Sequence, residues 1–420
     1  MTAKKIIVIG GGPSGLMAAG QAALAGAEVL LLEKMKRPGR KLCISGKGRC
    51  NITNIADKVD FMAHFGRSGR FLHQAFARFF NTELLDFLHR LGLETVAERG
   101  GRVFPKSGKA HEVLDALLAW VESCGVKISS SSPVDDLLIE DGKIVGVRCG
   151  SKTISCRAVI LATGGASYPA TGSTGDGYRM AEKAGHTIKE IRPALIPLET
   201  AGSLANRLAG LDLRNIRVRT IIDGKRKKEL FGEMSFTRTG VSGPVILTLS
   251  GEIVDHLQRG AKIELAIDLK PALDEQKLDA RLQRDIASRG KESVESMLRG
   301  LLPKEMIPVC LEQTEIAGDK QVHTISAQER KTIRNWLKEL RLEVTGHRPI
   351  KEAIVTAGGV NTKEIDPNTM ESKLVRGLYI TGELLDIQGD TGGYNLQAAF
   401  STGWLAGRAA AAKQDPVLRQ

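Results

Sequence analysis

The stretch KLCISGKGRCNITN, Lys41 to Asn54, sets Cys43 and Cys50 among glycines and cations, with six residues between them. Three chemistries fit such a pair: a redox dithiol, a metal clip, or a loop holding a flat, anionic ligand. A metal clip is disfavoured, because zinc sites use C-x-x-C or His-partnered spacings and neither accompanies the pair. Glycines fill the gap, which weakens the dithiol. The preferred reading is a ligand loop. Ser45, Gly46, Lys47, Gly48 and Arg49 supply pliant backbone and positive charge. Cys50 is then a packed small hydrophobe or a proton donor beside the ligand.

The anion is named by a second motif. Gly10-x-Gly12-x-x-Gly15, with Pro13 and Ser14 inside it, follows an apolar run and opens a small-residue helix pattern. The first glycine permits the turn, the second lets backbone approach a pyrophosphate, and the third lets helix pack on strand. Glu33 stands 23 residues after Gly10, where a carboxylate accepts from the hydroxyls of an adenosine ribose. An acid there disfavours a 2′-phosphate but allows NAD or FAD. Two downstream features favour the longer FAD. Ala162-Thr163-Gly164-Gly165 ends a distant apolar run. Gly382-Glu383, then Gly392-Gly393-Tyr394-Asn395 with Leu396, supply an acid for ribityl hydroxyls and a helix N-terminus for the flavin N1/O2 edge. The expected cofactor set extends to Lys34, Arg40, Lys41, Asn51 and Val134. No metal ligand set is expected.

These residues need a scaffold. Lys5–Ile9, Ser14–Ala25 and Glu28–Leu32 read as strand, helix and strand, a βαβ unit. Helical periodicity continues over Phe71–Leu91 and His111–Gly125. Strands are expected at Ile128–Ser132, Asp136–Ile139 and Ile144–Arg148, the last two as a hairpin about Asp141-Gly142. Ala158–Gly165 reads as a strand into glycines. The stretch Arg192–Leu269 is strand-rich, with a hairpin signal at Asp223-Gly224 and GPVILTLS, Gly243–Ser250, among its strand-like runs. Positions 270–342 are charged and helix-patterned. Gly377–Asp386 reads as a strand, and GGYNLQAAFSTGWLAGRAAAA as a final helix. The expected class is α/β, with a Rossmann-like domain at 1–190 and 356–420. A β-rich insert is expected at 191–269 and 341–355, and a helical insert at 270–340.

The 420 residues carry a net charge of +12, which favours nucleotide, acidic-substrate or nucleic-acid partners over a neutral surface. Aromatic content of only 4% disfavours single-strand binding by stacked bases. Six cysteines without a tight framework suit a reducing compartment. No secretory signal is read. Glycines and Pro13 interrupt the uncharged run from Ile6 to Ala27, so no membrane span is expected and the localisation is expected to be cytoplasmic. HEVLD at His111 lacks the second His of a zinc motif. GKRKKE, Gly224–Glu229, reads first as a solvated turn, with RNA or membrane contact as the alternative. His347-Arg348 reads first as structural, with Arg348 also a candidate to reach the flavin and polarise a carbonyl.

The fingerprint, SGKGRCNITN, ATGGASYPATGSTGDGYRMAEKAG, FTRTGVSGPVILTLS, TAGGV and TGELLDIQGDTGGYNLQAAFSTG together resemble the bacterial BaiN/RdsA family of YhiN-like FAD/NAD(P)-dependent oxidoreductases, over essentially the whole chain. The resemblance implies an FAD-binding Rossmann domain of the glutathione-reductase/succinate-dehydrogenase type, with an inserted β-barrel-like region and a small helical region. It implies noncovalent FAD and reduction of a conjugated C=C bond, in a small enone or in a uridine of ribosomal RNA. An amine oxidase, a flavin-containing RNA-binding protein and a disulfide reductase are the alternatives. Glutathione-reductase-like enzymes carry their dithiol at the place of Cys43 and Cys50, but with a shorter gap. No second dinucleotide fingerprint is present, so NAD(P)H is expected only as a transient reductant. Oligomeric state is not read from the sequence.

Overall fold

The computed structural model describes residues 5–412. Its contacts divide the chain into two compact units. The first runs to Ala194 and resumes at Ile350; the second is Leu195–Pro349.

The first unit is built on a five-stranded parallel sheet, in the order Leu378–Ile380, Ala158–Leu161, Lys5–Ile9, Glu28–Leu32, Lys127–Ser129. A parallel sheet is covered on both faces, so its strands read as near-continuous apolar runs. Ile6, Ile7 and Val8 accordingly have no exposed surface. Helix Pro13–Leu24 starts with Gly12 as N-cap and proline in its first turn, where the missing N–H costs nothing. The long helix Tyr394–Ala412 lies against it. A Cβ on Gly403 would stand 2.3 Å from the Ser14 carbonyl oxygen, and one on Gly407 would stand 2.3 Å from that of Ala18. Only glycine allows this approach. The hairpin Asp136–Glu140/Lys143–Cys149 forms as expected, its turn residues Asp141 and Gly142 at φ 49° and 70°. An antiparallel ladder joins Ile188–Ala194 to Val355–Val360.

The second unit contains a closed six-stranded barrel, ordered Leu198–Thr200, Gly240–Ser242, Lys225–Phe236, Asp212–Ile222, Ile263–Asp268, Leu340–His347. Its helices include Pro244–Leu257, Glu275–Ser288 and Ala327–Lys338. No helix among the described residues is long and apolar enough to cross a membrane.

Four local expectations are corrected. GPVILTLS is helical, not a strand: Gly243 turns the chain at φ 95° and Pro244 starts the helix. An apolar run of this length satisfies either periodicity, and here Val245, Ile246, Leu249 and Ile253 form a buried stripe. Phe71–Leu91 is two helices, Gly69–Arg78 and Asn81–Arg90. Phe79 and Phe80 are extended between them, which turns both rings into the core. The strand expected over Gly377–Asp386 stops at Ile380, because Gly382 adopts φ 67° and begins a short 3-10 turn. The loop holding the two cysteines is in its first half a helix, from Arg40, that breaks at Ser45, Gly46 and Lys47.

Candidate functional site

Four strand ends meet at the carboxyl edge of the parallel sheet, where open α/β sheets bind ligands. The Gly10 N–H donates to Leu32 O at 2.9 Å, the Ala162 N–H to Ile9 O at 2.9 Å, and the Thr381 N–H to Leu161 O at 3.0 Å. The turn segments at Gly10, Glu33, Ala162 and Gly382 are therefore fixed side by side. Gly10 sits at φ 102°, and a Cβ there would lie 2.5 Å from Ala162 O. Gly12 is the opposite case, with nothing within 4 Å of an added Cβ. Open space thus faces the helix N-terminus, whose N–H groups and dipole attract an anion.

Glu33 is buried, 9% exposed. Its Oε2 accepts from the Gly11 N–H at 2.8 Å and its Oε1 from the Met35 N–H at 2.8 Å. Both oxygens are thereby oriented, and each keeps lone-pair capacity for a second donor. The neighbouring loop folds onto this strand end, with the Ser132 N–H on Glu33 O at 2.9 Å and Val134 buried just beyond. Lys34 is held by Asp176 at 2.6 Å and by Thr174. Arg40 and Lys47 are exposed.

The loop after Ser45 is locked onto the start of the long C-terminal helix. The Asn51 amide oxygen accepts from the Gly393 N–H at 3.0 Å, while its nitrogen donates to Val103 O and Thr53 O. Asn54 donates to Gly392 O at 3.1 Å, and Thr53 Oγ1 to Gln397 at 2.6 Å. The Asn395 side chain ties the preceding turn, accepting from the Gly389 N–H at 2.8 Å. The first turn's own N–H groups, on Tyr394, Asn395 and Leu396, precede the Gln397 N–H bond to Gly393 O and point out of the helix end. Arg49 pairs with Glu98 and lies over the Phe104 ring, 4.1 Å from its centre. Cys50 has no exposed surface, and burial pushes its thiol up to about 12. Cys43 is half-buried, and both are free thiols.

Glu383 is more occupied than its sequence context suggests. It accepts from Lys41 at 2.7 and 3.0 Å, from the Thr356 N–H at 2.8 Å and from Ser167 Oγ at 3.2 Å. Ser167 and Thr356 carry no local signal, since they join only through the fold. Arg348 belongs to the barrel unit, where its guanidinium pairs with Glu199 at 3.0 Å.

One pair has no counterpart among the residues expected from sequence. His64 Nδ1 lies 2.8 Å from Asp390 Oδ2, and its ring stacks on Tyr394 with centres 4.0 Å apart. The signal available was Asp390 itself, two residues before Gly392-Gly393. Tyr394 is buried against Phe61, and burial beside Asp390 and Asp60 raises its hydroxyl to about 12.

The residues fit FAD. A cradle for an anion, an oriented carboxylate for a ribose and a second open helix end occur in the order the cofactor needs. Thr163 Oγ1 and Gln388 Oε1 are buried without a partner among the described residues, which leaves polar atoms for a ligand. Gly10, Gly12, Pro13, Ser14 and Gly15 would hold the pyrophosphate, Glu33 the ribose, and Tyr394–Leu396 the flavin edge.

The family model of the HI0933-like protein Rossmann domain matches residues 4–409. A 3-dehydro-bile acid delta(4,6)-reductase of Clostridium scindens is 34% identical over 409 residues, 97% of this chain and 99% of that one. A ribosomal RNA dihydrouridine synthase of Escherichia coli is 30% identical over 398 residues, 95% and 96% of the two chains. Among solved structures, a 3-ketosteroid-delta4-(5alpha)-dehydrogenase of Rhodococcus jostii superposes with a TM-score of 0.52 at 16% identity, covering 98% of both chains. At that identity the likeness speaks for the fold. The fold, the cradle and the full-length relatives agree: this chain belongs to the HI0933-like Rossmann family of FAD-dependent oxidoreductases.

Proposed function

We propose that the protein saturates a carbon–carbon double bond conjugated to a carbonyl, and that its substrate is a uridine in ribosomal RNA. The observation that carries the reaction is end-to-end similarity to two relatives named for that one chemistry, on a 3-dehydro-bile acid and on uridine. RNA is favoured by the net charge of +12 and by Lys225, Arg226, Lys227 and Lys228, all exposed on one strand of the barrel.

FAD held in this cradle, with NAD(P)H as its reductant, would supply the hydride. The substrate carbon β to the carbonyl takes that hydride, electron density moves to the carbonyl oxygen, and the α carbon takes a proton. The chain's work is to orient and to protonate. Glu33 would fix the adenosine ribose, and the Gly12 helix end would neutralise the pyrophosphate. The N–H groups of Tyr394–Leu396 would favour negative charge at the flavin edge. Cys50, sealed in the core, is assigned to packing. The proton is assigned to His64: with Nδ1 held on Asp390, a proton taken up at Nε2 is delivered away from that carboxylate. The Lys41–Glu383–Ser167 network holds the neighbouring segments still.

The test is mass spectrometry of ribosomal RNA nucleosides from a deletion strain, paired with NAD(P)H-driven turnover on ribosomal particles, protein-free ribosomal RNA and a steroid enone. Loss of one dihydrouridine, restored by the purified protein, is the expected result. Turnover of the enone alone would move the substrate to small molecules.

A further inference from the structure

We infer that the outward face of the barrel hairpin Asp212–Ile222/Lys225–Phe236 binds single-stranded RNA, with Phe231 as a platform on which a base stacks. The inference rests on the RNA reading above and adds the surface and the mode of recognition. Phe231 is 52% exposed, and every other Phe, Trp and Tyr side chain among the described residues is buried or half-buried. An aromatic ring left in water on a strand is therefore exceptional in this protein.

Its surroundings select the partner. Arg217 is its cross-strand neighbour, and Arg219 faces Glu229 one pair further along the same outward face. Glu229 is taken up by both arginines, at 3.2 Å from Arg217 and 2.7 Å from Arg219, so the trio keeps a net positive charge. Beyond it the strand bulges and presents Lys225, Arg226, Lys227 and Lys228. From Phe231 to Lys227 the strand spans on the order of 13 Å, close enough for one bound strand to meet both. Exposed Glu233 is the opposing charge on this face. Inward, Val218, Leu230 and Met234 anchor the hairpin to the barrel core, so the platform is rigid. A ring framed by cations matches a ligand with π-faces and phosphates. It suits a second copy of this chain poorly, because the cations would face each other. The low overall aromatic content argues against a stacked multi-base tract, and the structure narrows the contact to one ring.

The test uses the full-length, FAD-loaded protein and a fluorescein-labelled single-stranded oligouridylate, with anisotropy read across a salt series. Phe231→Ala should weaken binding roughly 5- to 150-fold, the range of a single base stack, without changing the salt slope. Phe231→Trp should restore it. Lys227→Ala should lower the slope by about 0.7 for each phosphate that this ammonium neutralises. FAD content and thermal midpoint report that each variant folds. Wild-type affinity in Phe231→Ala would overturn the proposal. So would binding of phosphatidylserine vesicles in place of RNA, or a dimer that Phe231→Ala dissociates. Oligouridylate binding with no uridine reduced in ribosomal RNA or ribosomal particles would sink the proposed reaction and leave this surface standing; reduction of ribosomal RNA uridine by a Phe231→Ala protein that binds RNA normally would do the reverse.

Discussion

His64 and Asp390, 326 residues apart in the chain, are joined twice: ring Nδ1 to carboxylate at 2.8 Å, and the Asp390 N–H to the His64 carbonyl at 3.0 Å. A side-chain bond alone could rotate away. The backbone bond beside it fixes both Cα positions, and stacking on Tyr394 fixes the ring plane.

If this imidazole delivers the proton, His64→Gln should slow substrate reduction roughly 100- to 10,000-fold, the usual worth of a general acid. Reduction of the flavin by NAD(P)H should be little changed. Stopped-flow measurement of the two half-reactions separates them. Equal loss in both would place His64 in cofactor positioning instead.

Glu33→Gln keeps the shape of the side chain but removes the charge that the Gly11 and Met35 N–H groups share and that the proposed ribose contact would use. Loss of a charge-assisted bond of this kind is worth about 1.5–3 kcal/mol, so the FAD dissociation constant should rise roughly 10- to 150-fold. Glu33→Ala should in addition lower the stability of the FAD-free protein, because two backbone donors lose their acceptor. Titration calorimetry and thermal melts of both variants check the ordering.

Cys50 should be silent toward iodoacetamide in the native protein at pH 8. Burial raises its thiol to about 12, so the reactive thiolate is scarce below that pH, and the fold denies access as well. Unfolding should release the full thiol count. A Cys43–Cys50 disulfide formed on mild oxidation, with turnover lost in either serine variant, would restore the dithiol reading.

Gly403→Ala tests the helix contact beneath the cradle. Within a helix this change ordinarily stabilises by about 1 kcal/mol. Here the new methyl would sit 2.3 Å from the Ser14 carbonyl oxygen, against backbone that cannot step aside. The sign should invert, with a loss of about 1–3 kcal/mol and weaker FAD retention. Urea unfolding with and without FAD measures both.

What is local or strictly patterned can be read from the residues alone. The strand–glycine–helix–strand unit from Lys5 to Leu32 could be read because apolar runs, Gly10 and Pro13 dictate their own backbone. The hairpin at Asp141-Gly142 was legible for the same reason. Motif order from Gly10 to Leu396 was enough to indicate an FAD-type cofactor and the α/β class. The rest depends on contacts between distant segments. Pro244–Leu257 carries a run that suits strand or helix, and burial of one stripe chose the helix. The barrel closes only when Leu198–Thr200 pairs with Leu340–His347, a ladder between segments far apart in the chain. Lys41 meets Glu383 across 342 residues, and His64 meets Asp390 across 326. No periodicity encodes such pairs, because they come together only when distant backbone hydrogen bonds have already fixed where each strand end and helix start must lie.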